Sequence, residues 1–284
     1  MELPPIVSYG HTLETGPDKL GTLLDSSSVV NDVEELKTRL ERDGYLYIKG
    51  YLDKDKVTKA YDALVNKLKD QTGFKPEIAR DCSEVQEVLY SGKLVEFYEK
   101  LYGEPIRHYD YTWLRVMGPG KGTNPHCDLP YMGRGTHRHM TCWVPYKKTS
   151  YKLGGLMVLE GSHKRMDLLE NYVYRDVDSY CENRERDLEK VKKNEWTFSG
   201  TLSHNPKGVR NKFGGRWLVT EFEPGDFLTF GMFVVHASID NQTENEIRIS
   251  TDSRYQRASE PIDERWVGIN PPAHGPNGKR SLIC

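Results

Sequence analysis

The chain has 284 residues, 40 of them basic and 42 acidic, for a formal net charge of -2. That length is ample for one large domain with a buried core, and the near-balance of charge excludes the basic footprint of a nucleic-acid binder or of a protein drawn to an anionic membrane. Hydrophobic residues at 37% and aromatic residues at 11% exclude a disordered chain.

Met1-Glu2-Leu3-Pro4-Pro5 lacks the basic-then-apolar pattern of a secretory signal, and no apolar run approaches the length of a bilayer span. A cytoplasmic protein is expected. Residues 1–30, with Pro4, Pro5, Gly10, Gly16, Pro17 and Gly21, read as an extended lead-in. A helix is expected to start at Asn31 or Asp32, either of which can cap it, with Val33, Leu36 and Leu40 at helical spacing and Gly44 as its stop. Tyr45–Lys49 reads as a strand. A second helix follows Asp53, carrying Val57, Ala60, Tyr61, Leu64, Val65 and Leu68 on one stripe, and Gly73 is expected to close it. A helical pair over 83–102, broken at Gly92, completes a helical N-terminal part, 1–106.

From Arg107 the texture changes to short β-rich runs between Gly and Pro: Tyr109–Val116, Met140–Val144, Leu156–Leu159, Trp217–Glu221, Asp226–Gly231 and Ile247–Tyr255. Helices ahead of a β-rich half predict a single domain, 1–284, mainly β with buttressing helices, whose 107–257 core is a jelly roll. A charged, helix-forming insertion over about 165–200 interrupts the strands. Its bland interpretation is a solvated surface helix, its sharper one a lid. Residues 258–284 form a C-terminal tail. Cys82, Cys127, Cys142, Cys181 and Cys284 are scattered, odd in number and free of Cys-x-x-Cys pairs, which predicts reduced thiols and argues against a disulfide framework or a zinc ribbon.

Chemistry concentrates on Asn124-Pro125-His126-Cys127-Asp128-Leu129-Pro130. On a strand, His126 and Asp128 would project from one face, with Cys127 packed away from them. A second histidine, His236, follows a Pro224-Gly225-Asp226 turn and a buried run. Two His and one carboxylate make the facial triad of non-heme Fe(II) oxygenases, with open positions opposite the protein ligands. Twelve residues on, Arg248 and Ser250 share a strand face. A planar guanidinium with a neighbouring hydroxyl suits the free carboxylate of a dicarboxylic cosubstrate. His137, His139, His163 and His204 lack such a partnered motif.

The order His126-x-Asp128, then Gly155-Leu156-Met157-Val158-Leu159-Glu160-Gly161-Ser162-His163, then Pro224-Gly225-Asp226, then His236 with Asn241 and Arg248, resembles the phytanoyl-CoA dioxygenase family, best over 107–257. The resemblance implies a double-stranded β-helix (cupin-like) core, Fe(II), 2-oxoglutarate as cosubstrate, O2, and ascorbate as an accessory reductant. It implies iron ligation by His126, Asp128 and His236, and a 2-oxoglutarate clamp at Arg248, assisted by Ser238 and Ser250. Thr141, Trp143, Tyr111, Trp113 and Thr123 fall where that family lines the cosubstrate pocket. Related halogenases carry a small residue in place of Asp128, so hydroxylation or another oxidation is expected here. Candidate substrate contacts are Arg115, Arg134, Arg216, Asp252 and Arg254. The partner is a small molecule, with no nucleic acid and no membrane; the sequence leaves the oligomeric state open, a homodimer included. Two other readings stand: a metal enzyme on a similar barrel without 2-oxoglutarate, which has no need of Arg248-x-Ser250, and a non-catalytic β-helix binding module, which the cost of burying His, Asp and His without a metal opposes.

Overall fold

The computed structural model describes residues 4–69 and 71–284; Met1, Glu2 and Leu3 of the N-terminal signature lie outside the described residues. The local signals at the N-terminus work as anticipated. Asp32 caps the helix Val33–Asp43 by accepting from Glu35 N, and Gly44 ends it in a left-handed conformation. Asp53 caps Lys54–Leu68 through two backbone N–H groups. Lys69, not Gly73, terminates that helix, at φ 44°. Gly73 instead opens a short strand, Gly73–Phe74. The helical pair forms as Ser83–Tyr90 and Lys93–Tyr102.

Two sheets face one another. The larger has seven strands, in the order Tyr45–Ile48, Phe227–Gly231, Met140–Pro145, Arg248–Arg257, Trp113–Met117 and Gly73–Phe74, with Ile106–His108 also paired to Arg248–Arg257. The smaller runs His236–Ser238, Leu156–Leu159, Trp217–Val219 and Leu20–Thr22. This is the double-stranded β-helix. The helical N-terminal part is not outside it: Leu20–Thr22 pairs with Trp217–Val219, and Tyr45–Ile48 forms an edge of the larger sheet. Edge strands are recruited by backbone pairing, which carries no sequence code, so the lead-in gave no sign of it.

Strand alternation sorts the sheet faces. On the larger sheet, Leu114, Val116, Cys142, Val144, Ile249 and Tyr255 turn outward onto the four long helices, where Leu64, Val85, Leu94 and Phe97 seal one core. Their strand neighbours Trp113, Arg115, Thr141, Trp143, Arg248, Ser250, Asp252 and Arg254 turn inward. A second core packs the insertion, through Leu169, Tyr172 and Val173, on the outer face of the smaller sheet. Among the described residues no helix is long and apolar enough to cross a membrane.

The insertion carries two helices, Met166–Val173 and Glu185–Lys192, and between them Ser179–Cys181 pairs in parallel with Arg280–Leu282 of the tail. Cys181 and Cys284 are joined by a disulfide, against the expectation of five reduced thiols. Residues 103 apart in sequence meet only because the tail returns to the insertion, a contact that spacing rules cannot register. Cys82, Cys127 and Cys142 stay free and buried. Alkylation of the denatured, unreduced protein is expected to label three thiols, and five after reduction; five before reduction would remove the bridge.

Candidate metal centre

His126 and Asp128 do not share a continuous strand. His126 sits in an isolated antiparallel bridge opposite His236, with both backbone bonds at 3.0 Å. Asp128 already has helical torsions (φ -78°, ψ -25°) and precedes the short helix Leu129–Met132. Pro130, in the first turn, is pre-set for helical φ. The chain therefore curls at Asp128 and returns its carboxylate beside His126, where strand alternation had been expected to do so. His236 lies on the inner face of the smaller sheet, opposite Val158. Cys127 turns away, with Sγ against the Phe233 carbonyl.

The protonation pattern follows from the second atom of each ligand. Nδ1 of His126 is 2.7 Å from the Asn124 carbonyl, and Nδ1 of His236 is 3.1 Å from that of Val234. A carbonyl only accepts, so each Nδ1 carries the proton and each Nε2 presents a lone pair. These Nε2 atoms stand 3.8 and 3.6 Å from Asp128 Oδ1, and the three donor atoms lie within 4.8 Å of one another. Ligands about 2 Å from a common ion have such separations. The other carboxylate oxygen, Oδ2, is occupied: Arg254 donates to it at 2.9 Å, and so does the Thr141 hydroxyl. Oδ1 is left for a metal.

Burial pushes the Asp128 carboxyl up, but Arg254 and the two imidazoles outweigh it and hold the group well below the usual carboxylate range. Burial, reinforced by His236, drops the His126 imidazole to about 3. Burial lowers His236 as well. Neutral imidazoles beside an ionised carboxylate are the ligand state.

A second set of groups lies along the inner face of Arg248–Arg257. Arg248 is 1% exposed. It donates to the Gly154 carbonyl, while its Nε has no partner and no carboxylate among the described residues is in salt-bridge contact with it. Gly154 has φ 84°, and a Cβ there would stand 2.4 Å from the Ile239 carbonyl. Burial and the nearby Arg115 lower the Arg248 guanidinium to about 10. Ser250 Oγ and Trp143 Nε1 are likewise buried without partners. Unsatisfied buried donors are costly, and a carboxylate placed here would satisfy them. The residues fit Fe(II) at the triad and a dicarboxylic acid reaching toward Arg248.

Above the triad opens a cavity of about 340 Å³, walled by Phe74, Trp113, Tyr131 and Trp196, with His126 and Asp128 at its base. Arg115 and Arg254 line it, as does Thr123. Asp252 bonds Arg115 at 2.5 Å, and Arg254 stacks over Trp113 at 4.3 Å. Ser238 Oγ accepts the Thr123 N–H, bracing the loop that leads into His126. Tyr111 lies behind Trp113 and Trp266, edge-on to both. Two expected substrate residues go elsewhere. Arg216 pairs with Glu160 through two bonds, on a different hollow. Arg134 pairs with Asp176 at 2.6 Å and lines a larger cavity, about 790 Å³, walled mostly by the insertion. That larger cavity contains none of the three clustered ligands.

Sequence patterns did not select Phe74, Tyr131, Trp196, Thr201 or His274, all of which line the metal cavity. Their residue types carry no motif, and they come from a short strand, a helical turn, the insertion, the loop after it and the tail. Tyr172, also unselected, ties the insertion to the metal motif: it accepts the Cys127 N–H and donates to the Gly200 carbonyl at 2.6 Å. Gly200, at φ 75°, lies so near the Tyr131 ring that a Cβ would approach within 2.3 Å.

The depressed imidazoles set a pH dependence. Unfolded, a histidine takes a proton below about 6.5, whereas folded His126 resists protonation down to about 3. The stability contribution is present above 6.5 and lost as pH falls through that window. The melting temperature of the metal-free protein is expected to fall between pH 7 and 4, and His126→Asn to flatten that slope. An equal slope in the variant would assign the pH dependence to other groups.

Residues 40–250 match the family model for phytanoyl-CoA dioxygenase. A 1-deoxypentalenic acid 11-beta-hydroxylase of Streptomyces exfoliatus is 26% identical over 271 residues, 85% of this chain and 87% of that protein. The fold is shared with the non-heme alpha-ketoglutarate-dependent carbocyclase SnoK from nogalamycin biosynthesis (15% identity, 84% and 90% of the two chains, TM-score 0.61) and with EctD of S. alaskensis (15%, 98% of each chain, 0.59). With a motif-matched sequence over most of its length and a buried His-Asp-His cluster at the mouth of the barrel, the chain belongs to the phytanoyl-CoA dioxygenase family and is an Fe(II)/2-oxoglutarate-dependent dioxygenase.

Proposed function

We propose that this dioxygenase hydroxylates carbon on a compact small molecule, holding Fe(II) through His126 Nε2, His236 Nε2 and Asp128 Oδ1. The observation that carries the assignment is the state of the second atoms. Each ligand has its other polar atom already bonded, which leaves three convergent lone-pair donors and no competing use for them. Arg248, with Ser250 and Trp143, receives the far carboxylate of 2-oxoglutarate. Their unpartnered buried donors support this over a metal enzyme without that cosubstrate. Fe(II) held by this triad would supply the oxidising chemistry, drawing on 2-oxoglutarate and O2. The protein's share is orientation and exclusion of water. Arg254 and Thr141 hold Asp128 in one rotamer, and the aromatic walls position an apolar substrate body. A cavity of about 340 Å³ suits a small molecule. The relative named 1-deoxypentalenic acid 11-beta-hydroxylase supports carbon hydroxylation. The presence of Asp128 favours it over halide transfer.

Segment 165–200 acts as a lid in this reading, since Trp196 and Ser199 reach the cavity and Tyr172 anchors them to the metal motif.

Anaerobic addition of Fe(II) and 2-oxoglutarate is expected to give a metal-to-ligand charge-transfer band. His126→Ala should lose both the band and succinate production; wild-type turnover in that variant would sink the assignment. Arg248→Ala removes a charge-assisted clamp worth about 1.5–3 kcal/mol, so its half-saturating 2-oxoglutarate should rise about 10- to 100-fold. Trp196→Ala should raise 2-oxoglutarate turnover uncoupled from substrate oxidation several-fold. Unchanged coupling would leave 165–200 as scaffold.

A further inference from the structure

The C-terminal tail places one titratable side chain in the metal cavity that neither the triad nor the cosubstrate clamp uses. His274 lines the cavity beside Tyr131 and Trp196. Its ring is boxed edge-on by Trp266 at 4.7 Å, Trp196 at 5.4 Å and Tyr131 at 5.9 Å. Nδ1 lies 2.8 Å from Asp178 Oδ2, and Nε2 has no hydrogen-bond partner among the described residues. Asp178 is 1% exposed and is itself fixed, since Arg265 Nη1 donates to the same oxygen at 2.7 Å. The Asp178 carbonyl accepts Arg280 N–H at 2.8 Å, and the Ala273 N–H bonds the Arg265 carbonyl at 2.8 Å, so the backbone on both sides of His274 is tied down. The Cys181–Cys284 bridge closes the same loop of chain.

A buried carboxylate that fixes one imidazole nitrogen leaves the other aimed and pre-oriented, which lowers the entropic cost of recognition. The remaining polar chemistry of the cavity is rich in donors. Arg115 spends only its Nε on Asp252, and Arg254 only one nitrogen on Asp128. Of the carboxylates, Asp128 alone lines the cavity, and it belongs to the metal site. A substrate entering this cavity therefore meets aromatic walls, the unspent nitrogens of Arg115 and one fixed imidazole.

We propose that His274, held by Asp178, is a substrate-anchoring residue that binds the carboxylate of a compact, apolar-bodied acid over the metal. The proposal rests on the dioxygenase assignment above and names the substrate class for that same site. In the complex the ring bridges two carboxylates, with one nitrogen on Asp178 and the other on the substrate. No bond to carbon changes at this residue. It acts by holding the acid so that the same C–H bond faces the metal each time.

The test uses the Fe(II)- and 2-oxoglutarate-loaded enzyme without oxygen, with 1-adamantanecarboxylic acid and its methyl ester as probes. The acid's bulk suits the cavity, and the ester removes only the charge. Binding is read as the shift of the charge-transfer band with probe concentration. The acid is expected to bind saturably, at least tenfold tighter than the ester, in the wild-type enzyme. His274→Phe keeps the ring volume and removes both N–H groups, and Asp178→Asn keeps the shape and removes the fixing charge; both should reduce the preference to under threefold. No saturable binding of the acid, equal binding of acid and ester, or a preference retained in His274→Phe overturns the proposal. If His274→Phe misfolds, His274→Leu gives the same readout: an acid preference retained there assigns the carboxylate to Arg115 and overturns the proposal. Absence of the charge-transfer band itself would instead strike at the dioxygenase assignment, which separates the two failures.

Discussion

The site depends on how one buried carboxylate is divided. Asp128 is 3% exposed, and an ionised group so placed is stable only with donors on it. Arg254 and Thr141 take one oxygen and turn the other toward two imidazoles. Arg254 is held in turn, at 1% exposure with its guanidinium over the Trp113 ring. If the Arg254 contact were absent, Asp128 could rotate or chelate with both oxygens, and the open face of the metal would shrink.

Arg254 and Arg248 stand on the same strand, six residues and three inward positions apart, which is roughly 20 Å of rigid backbone. Between them come Ser250 and Asp252, also inward. One strand in the middle of the larger sheet thus carries Arg254, the partner of Asp128, at one end and Arg248, with no carboxylate partner among the described residues, at the other, with the Asp252–Arg115 pair offsetting charge between them. Its outward residues, such as Ile249 and Tyr255, are sealed by the helical layer. The helices do no chemistry, yet they hold the strand straight.

The rest of the site is assembled from far apart in the sequence. The paired backbone of His126 and His236 joins two segments 110 residues apart, and the Ser238–Thr123 bond extends that joint by one more inward position. The insertion and tail close the cavity, cross-linked by a parallel strand pair, a disulfide and a buried charge network of Arg265 with Asp176, Asp178 and Asp263. Such a network specifies one arrangement of the tail, because Arg265 has no other way to meet its charge.

The class of fold and the candidate ligand set are legible in local sequence. Helix caps at Asp32 and Asp53 and the alternation of 140–145 and 248–257 are local properties of the chain, and His126, Asp128, His236 and Arg248 stand in a recognisable order. Local sequence does not register what depends on contact. Asp128 sits at a helical turn rather than on a strand, Cys181 and Cys284 are bridged rather than free, and Arg134 and Arg216 each have their own carboxylate away from the triad. Which oxygen of Asp128 is free, that Gly154 receives Arg248, and that Trp196 and His274 line the cavity with His126 and Asp128 emerge only from the packed chain. The reason is physical: a ligand motif is chemistry written into neighbouring residues, whereas a cavity wall needs only some ring or imidazole at a given point in space, and any loop that folds back there can supply it.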